Sequence, residues 1–403
     1  MKKMIHRYRE TLILISLTLF ALGIRLWRLK TPSGMVFDEV YYVKFANDYI
    51  AHTNFLDVHP PLGKIVIAAG IKIFGDWSFA WRFFSALFGA AIVPLSYLIA
   101  KKIFSNPRVA YITALLILFD GLFFVQSRTA LLTTTLLFFN LCAILAFFNY
   151  RDNKKIIYLI LTGIFFGFAI STQWLVAPFI LFLIIYNYYF IIKKHTLKEF
   201  IKWVMCLVIV PLVIYVLIFL FDKLIVSGNF YKYIIDWHVQ SLSFHSTTTA
   251  SHPYQSRWQT WMFLYRPAWY YYQSANNKIT GIIALGNPLI WWPALFTFFY
   301  CIWNLVKNKK KELLIPIIMF LAYYLFWIPI KRTQFQYYIL QALPFYFMLT
   351  AYFWTKVYEK YKIIALIWLI LIVASFIFFY PILSAWPIST DYYNMHLWLK
   401  TWI

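Results

Sequence analysis

Residues 80–126, AWRFFSALFGAAIVPLSYLIAKKIFSNPRVAYITALLILFDGLFFVQ, hold two apolar runs, 80–100 and 109–126, on either side of a basic connector. Each run approaches the ~20 residues an apolar helix needs to cross a bilayer. The connector carries Lys101, Lys102 and Arg108 and no acid. Similar runs extend outward in both directions, at 11–28, 130–149, 156–172, 174–192, 203–221, 281–305, 313–330, 335–355 and 363–385. The pattern predicts an all-α integral membrane protein with about eleven transmembrane helices.

Composition supports that class. Of 403 residues 63% are hydrophobic and only 13% charged, with a mean hydropathy of +0.68. A soluble domain carries about a quarter of its residues as charges, so a soluble enzyme and a disordered chain are both excluded. The net charge of +23 is topological. Alternate connections hold Lys2/Lys3/Arg7/Arg9, Lys101/Lys102/Arg108, Arg151/Lys154/Lys155, Lys193/Lys194/Lys198/Lys202, Lys307/Lys309/Lys310/Lys311 and Lys356/Lys360/Lys362. Positively charged connections stay in the cytoplasm, which predicts a cytoplasmic amino terminus and an outer carboxyl terminus. The basic excess suits anionic lipid headgroups. With no soluble basic domain in sight, no nucleic-acid partner is expected. The basic start resembles a signal peptide, but Arg25-Leu26-Trp27-Arg28 replaces a small-residue cleavage site, so a retained helix is expected. Cys142, Cys206 and Cys301 sit in apolar runs without metal-ligand spacing, and neither a disulfide framework nor a metal site is indicated.

Two long outer connections remain, roughly 29–79 and 222–280, and long connections usually carry function. In the first, Tyr42, Phe45, Ala46, Tyr49 and Ile50 recur at helical spacing opposite Lys44, Asn47 and Asp48, which predicts an amphipathic interfacial helix. Residues 65–74 are too short to span and predict a second such helix. The second loop interleaves aromatics with His238, His245, His252, Arg257 and Arg266. With no internal repeat or linker, the chain reads as one unit. Its parts are a catalytic module over 1–221, the outer loop 222–280 and a four-helix membrane region over 281–403.

Acids are few enough to weigh singly, and Asp38, Glu39, Asp48, Asp57 and Asp76 gather in or beside the first loop. In Phe37-Asp38-Glu39-Val40-Tyr41-Tyr42 a carboxylate pair at the interface can supply a general base and a group that orients a hydroxyl. Alternatively Asp38 caps the helix that begins near Glu39. In Asp57-Val58-His59-Pro60-Pro61-Leu62-Gly63-Lys64, Lys64 stands where a lipid phosphate could lie, or it snorkels from an interfacial turn. Asp120 is an intramembrane charge, and Arg82 starts a span at similar depth, so a structural Arg82–Asp120 pair is expected. Arg128 either binds an anion or anchors a helix end.

FDEVYY, DVHPPLGK, then FDG and VQSR, in that order, resemble the protein O-mannosyltransferase family, GT-C class enzymes that use polyprenyl- or dolichyl-phosphate mannose. The second half is similar too, at His252-Pro253-Tyr254, Arg266-Pro267-Ala268-Trp269-Tyr270-Tyr271, Leu285–Trp292, Arg332-Thr333-Gln334-Phe335 and Ala342-Leu343-Pro344-Phe345. The resemblance implies a GT-C-like fold, a lipid-linked mannose donor as co-substrate with no further cofactor, and a Ser or Thr acceptor on a translocating or secreted protein. On the matching positions Asp38 is the expected base, with Glu39 and His59 holding the acceptor. Lys64, Arg128, Arg266 and Arg332 are the candidates for the donor phosphate. The chain departs from the family at Thr133, where an acid is common, and at Gln173, where a Lys is frequent. The second outer loop is too short for the soluble insertion of the eukaryotic branch, which implies a compact bacterial-type member in the plasma membrane. The alternative is a GT-C transferase moving another polyprenyl-phosphate sugar to a lipid or glycan. A transporter would show inverted repeats and interrupted helix pairs at the midplane, and neither is present.

Overall fold

The computed structural model describes residues 2–53, 55, 57–176, 178–179, 183, 197–225, 229–247 and 251–403. The first half is a run of helices: α1 (Lys2–Leu26), α2 (Glu39–Ile50), α3 (Leu62–Phe74), α4 (Ser78–Phe104), α5 (Pro107–Leu118), α6 (Gly121–Gln126), α7 (Leu132–Asn153) and α8 (Ile156–Ile170). Later helices cover Leu197–Asp222, Phe230–Thr247, Pro288–Lys307, Leu314–Leu325, Leu343–Lys360 and Lys362–Leu383.

Five of the described helices are long and apolar enough to cross a membrane by length and composition: α4, α7, Leu197–Asp222, Pro288–Lys307 and Lys362–Leu383. The expected run at 109–126 is broken. α5 stops at Leu118, and Asp120 starts α6 by accepting from the Phe123 amide at 3.1 Å. Most of the run expected at 174–192 lies outside the described residues. The run expected from 281 begins as a strand, and its helix starts at Pro288 behind the Asn287 cap.

The fold is therefore not purely helical. Strands β1 (Ala268–Ala275), β2 (Lys278–Ala284) and β3 (Ile388–Ser389) form an antiparallel sheet in the order β1-β2-β3. Asn276 and Asn277, at φ 49° and 55°, make the β1–β2 turn, whose hand of twist favours Asn. The β1–β2 register slips between Trp269 and Tyr271, leaving Tyr270 as the extra residue of a bulge.

Helices approach closely where side chains are small. On α8, a Cβ at Gly163 would stand 2.0 Å from the Cys206 carbonyl, and one at Gly167 would stand 2.5 Å from Ile214 Cβ. Two glycines four residues apart thus give the 197–222 helix its seat, the small-residue packing expected between membrane helices. At the far end of α4 from Ser78, the basic connections meet through ion pairs Lys101–Glu10, Lys102–Asp152 (2.8 Å) and Arg108–Glu359 (4.0 Å). At the near end, Ser78 Oγ donates to the Lys30 carbonyl (2.9 Å), and the first long loop gathers there.

Candidate active site

A cavity of about 290 Å³ opens beside the start of α2. Asp38, Tyr42, His59, Thr133, Gln173 and Trp174 line it from the first half of the chain, and His245, Arg332, Tyr337 and Tyr338 from the second. Asp38 takes the position before α2, yet its side chain makes no capping bond. It receives instead a hydrogen bond from the Tyr337 phenol. Burial pushes its carboxyl up to about 6, with the Tyr337 bond pulling the other way. Such a group is ionised at neutral pH and basic enough to take a proton from a hydroxyl as bond formation proceeds.

Glu39 points elsewhere. Fully buried, it holds Arg82 in a two-pronged bond, Nε to Oε1 at 2.8 Å and Nη2 to Oε2 at 2.7 Å. Its oxygens also accept from the amides of Val36 (2.9 Å) and Ala130 (2.8 Å). The expected acceptor-binding role therefore has no oxygen turned to the cavity. Arg82 also donates to the carbonyls of Leu29, Pro32 and Gly34, so Glu39 and Arg82 knot the 29–39 loop onto α4. The Arg82–Asp120 pair expected from sequence does not form. Asp120 accepts from the Asn287 amide at 2.9 Å and the Trp291 indole at 2.7 Å, joining α6 to the 288–307 helix.

The phosphate candidates separate in the same way. Arg128 donates to the carbonyls of Ile24, Arg25, Trp27 and Arg28, and so closes the carboxyl end of α1. Arg266 donates to the carbonyls of Pro253, Thr401 and Ile403 and ties down the chain's end. Lys64 is fully buried, paired with Asp57 and donating to the His59 and Pro60 carbonyls, with burial holding it well below its usual range. These three stabilise loops. Arg332 alone of the four lines the cavity.

Its partner explains its pose. The Arg332 guanidinium donates to His245 Nδ1 at 3.0 Å, which makes that nitrogen an acceptor and His245 neutral. The other ring nitrogen then donates to the Val58 carbonyl at 3.2 Å, a carbonyl that also accepts from Ser241. One helix, Phe230–Thr247, thus aims Arg332 and pins the 57–64 loop. His59 lies 5.4 Å from the His245 ring, and burial between His245 and Arg332 pushes it down to about 3, so it too is neutral.

Sequence reasoning missed His245 as an orienting group and Tyr42, Trp174, Tyr337 and Tyr338 as lining. Tyr337 and Tyr338 follow the Arg332–Phe335 element by two and three residues, a proximity visible in the sequence. Both departures from the family pattern line the cavity. Thr133 Oγ1 donates to Gln126 Oε1 at 2.5 Å, and Gln126 donates to the Tyr270 hydroxyl at 2.6 Å.

Known proteins are similar to this chain in sequence and in fold. The family model described as "Dolichyl-phosphate-mannose-protein mannosyltransferase" matches residues 15–81 and 76–227, and "C-terminal four TMM region of protein-O-mannosyltransferase" matches 230–402. The polyprenol-phosphate-mannose–protein mannosyltransferase of Mycobacterium tuberculosis is 26% identical over 91% of this chain and 86% of its own length. The Corynebacterium glutamicum protein of the same name is 24% identical over 92% and 89%. The S. cerevisiae protein O-mannosyltransferase Pmt1-Pmt2 complex bound to the sugar donor superposes with a TM-score of 0.87 at 16% identity, covering 98% of this chain and 93% of the other. ArnT from Cupriavidus metallidurans bound to undecaprenyl phosphate gives 0.63 at 17%, covering 89% and 62%. The architecture is thus the one these lipid-phosphate enzymes share, and the chain belongs to the protein O-mannosyltransferase family.

Proposed function

We propose that this chain is an inverting glycosyltransferase that moves mannose from polyprenyl-phosphate mannose to Ser or Thr hydroxyls of secreted or membrane proteins. The observation that carries the reading is the meeting of Asp38, with its raised carboxyl, and Arg332 in one cavity. Asp38 takes the acceptor's hydroxyl proton as the oxygen bonds to the sugar C1. The bond from C1 to the phosphate oxygen breaks, and its electron pair leaves with the lipid phosphate. A phosphate is already a weak base, so it needs charge stabilisation more than a proton, and Arg332 is placed to supply it. One displacement inverts the anomeric centre and asks for a single base, which fits one carboxylate at the cavity and the other tied to Arg82.

In this reading the amino terminus lies in the cytoplasm of a bacterial plasma membrane and the cavity and carboxyl terminus face outward, an orientation that the basic connections support. The short amphipathic helices α2 and α3 then lie at that interface.

The test incubates membranes with radiolabelled polyprenyl-phosphate mannose and Ser/Thr-containing acceptor proteins, wild type beside Asp38→Asn. Label reaching protein in the wild type alone supports the reading, and transfer that survives Asp38→Asn removes the base. A second reading, a different polyprenyl-phosphate sugar with a lipid or glycan acceptor, draws on the neutral Thr133 and Gln173 at the cavity wall. Transfer from another sugar donor and none from mannose would establish it instead.

A further inference from the structure

Phe37, one residue ahead of Asp38, has a left-handed backbone with φ 49°. A bulky side chain in that region is strained and persists only where its surroundings over-determine it. Those surroundings are aromatic on three sides. The Phe37 ring lies flat on Tyr270, centroids 4.3 Å apart and planes 8° from parallel. Phe335 and Tyr337 meet it edge-on at 6.1 and 5.7 Å. All three neighbours belong to the half of the chain matched by the C-terminal region model. Tyr270 reaches its place because it is the bulged residue of β1, and its hydroxyl is held by Gln126. Bulges next to sites commonly re-aim one side chain in this way.

The consequence appears one residue later. An N-cap residue normally has extended backbone, with its side chain accepting from the first helical turn. Asp38 has φ −71° and ψ −3° and makes no such bond. We propose that Phe37 is a positioning residue: the aromatic clamp from the C-terminal half holds it left-handed, and this turns the Asp38 carboxylate away from α2 and into the cavity. With the clamp gone, Phe37 relaxes to ordinary extended backbone. Asp38 then gains standard cap geometry and accepts from the Val40 or Tyr41 amide instead of facing a substrate hydroxyl. The C-terminal half thereby sets the aim of a base carried by the N-terminal half. The inference rests on Asp38 being the base.

The test uses the full-length protein in membranes, with polyprenyl-phosphate mannose and a Ser/Thr peptide, comparing Phe37→Ala, Phe37→Gly, Phe37→Tyr and Asp38→Asn. The Ala and Gly variants should lose about 10–100-fold in kcat, the cost of a misaimed group. Donor KM should stay within about twofold, because ground-state binding is untouched. The acid limb of the rate–pH profile should move down toward ordinary carboxylates, since a capping carboxylate is stabilised as the anion. Gly accepts a left-handed backbone without strain, so its loss places the role in the ring. Phe37→Tyr keeps the stacking and should keep kcat within about threefold. Wild-type kcat in the Ala and Gly variants overturns the proposal. So does a loss that follows the folded fraction with the acid limb unmoved, which is what a packing role alone would give. Asp38→Asn separates the two ideas. Transfer by that variant removes the base assignment, whereas an inactive Asp38→Asn beside a normal Phe37→Ala removes only the clamp.

Discussion

Asp38 and Glu39 are consecutive, both are carboxylates, and they face opposite sides of the α2 start. On one side Asp38 looks into a cavity, where the Tyr337 phenol hydrogen-bonds it. On the other Glu39 is sealed against Arg82 and two backbone amides. Successive residues at a helix start project about 100° apart, so a single residue step separates a reactive face from a structural one. The pair shows how a site can keep one acid under-bonded: its neighbour does the holding.

Asp38→Asn should therefore cost activity without costing stability. Loss of the base should lower transfer by about 10²–10⁴-fold in a radiolabel assay. Its folded carboxyl titrates above the ordinary 3.8, so the folded chain binds more protons than the unfolded between about pH 4 and 6, and stability falls as pH rises through that window. Removing the charge should leave the melting temperature in detergent unchanged or raised above pH 6, and a clear drop would break the contrast.

Glu39→Gln should do the reverse. It strands Arg82, 1% exposed, without its counter-charge. Breaking one partner of a buried pair costs about 3–5 kcal/mol, so folded yield and melting temperature should fall. Activity per folded molecule should fall far less than in Asp38→Asn. Equal losses per folded molecule would return Glu39 to the chemistry.

The two arginines sharpen the same division. Arg332→Ala should lower kcat about 10²-fold or more if it stabilises the leaving phosphate, at normal folded yield. Arg128→Ala, which uncaps α1, should show mainly in yield. The pair would change places if phosphate bound at Arg128 instead.

Some of this division was legible in the chain and some was not. Asp38 stood out because acids are scarce and it begins a short amphipathic helix. The aim of Glu39 could not be read, because its partner lies 43 residues away and adjacent positions look alike in one dimension. The intramembrane Asp120 was conspicuous, but its partners are a backbone amide and an indole 167 and 171 residues on, groups that leave no charge pattern. Arg128, legible as an anion binder or a helix-end anchor, and Arg266, a phosphate candidate, stay undecided in the sequence because a free guanidinium and one capping carbonyls are the same letter. The hairpin did leave a signal, Asn276-Asn277 between aromatic and β-branched runs, masked by the hydrophobicity that made 281–305 read as a span.

The smallest effects concern how the under-bonded side is tuned. Transfer should rise with pH through about 6 and level off above, since only the ionised Asp38 accepts a proton. At pH 5 the rate should be about tenfold below the plateau. Tyr337→Phe removes the one hydrogen bond that favours the carboxylate, so the limb should move up, by about one unit at most given the worth of such a bond. A limb moved from about 6 to about 7 halves the ionised fraction at pH 7 and leaves the plateau above pH 8.5 unaltered. A rate–pH profile of both proteins, measured in saturating donor, reads this directly. A downward shift would mean that Tyr337 favours the protonated acid, and the cavity would then hold Asp38 as a proton donor instead of a base.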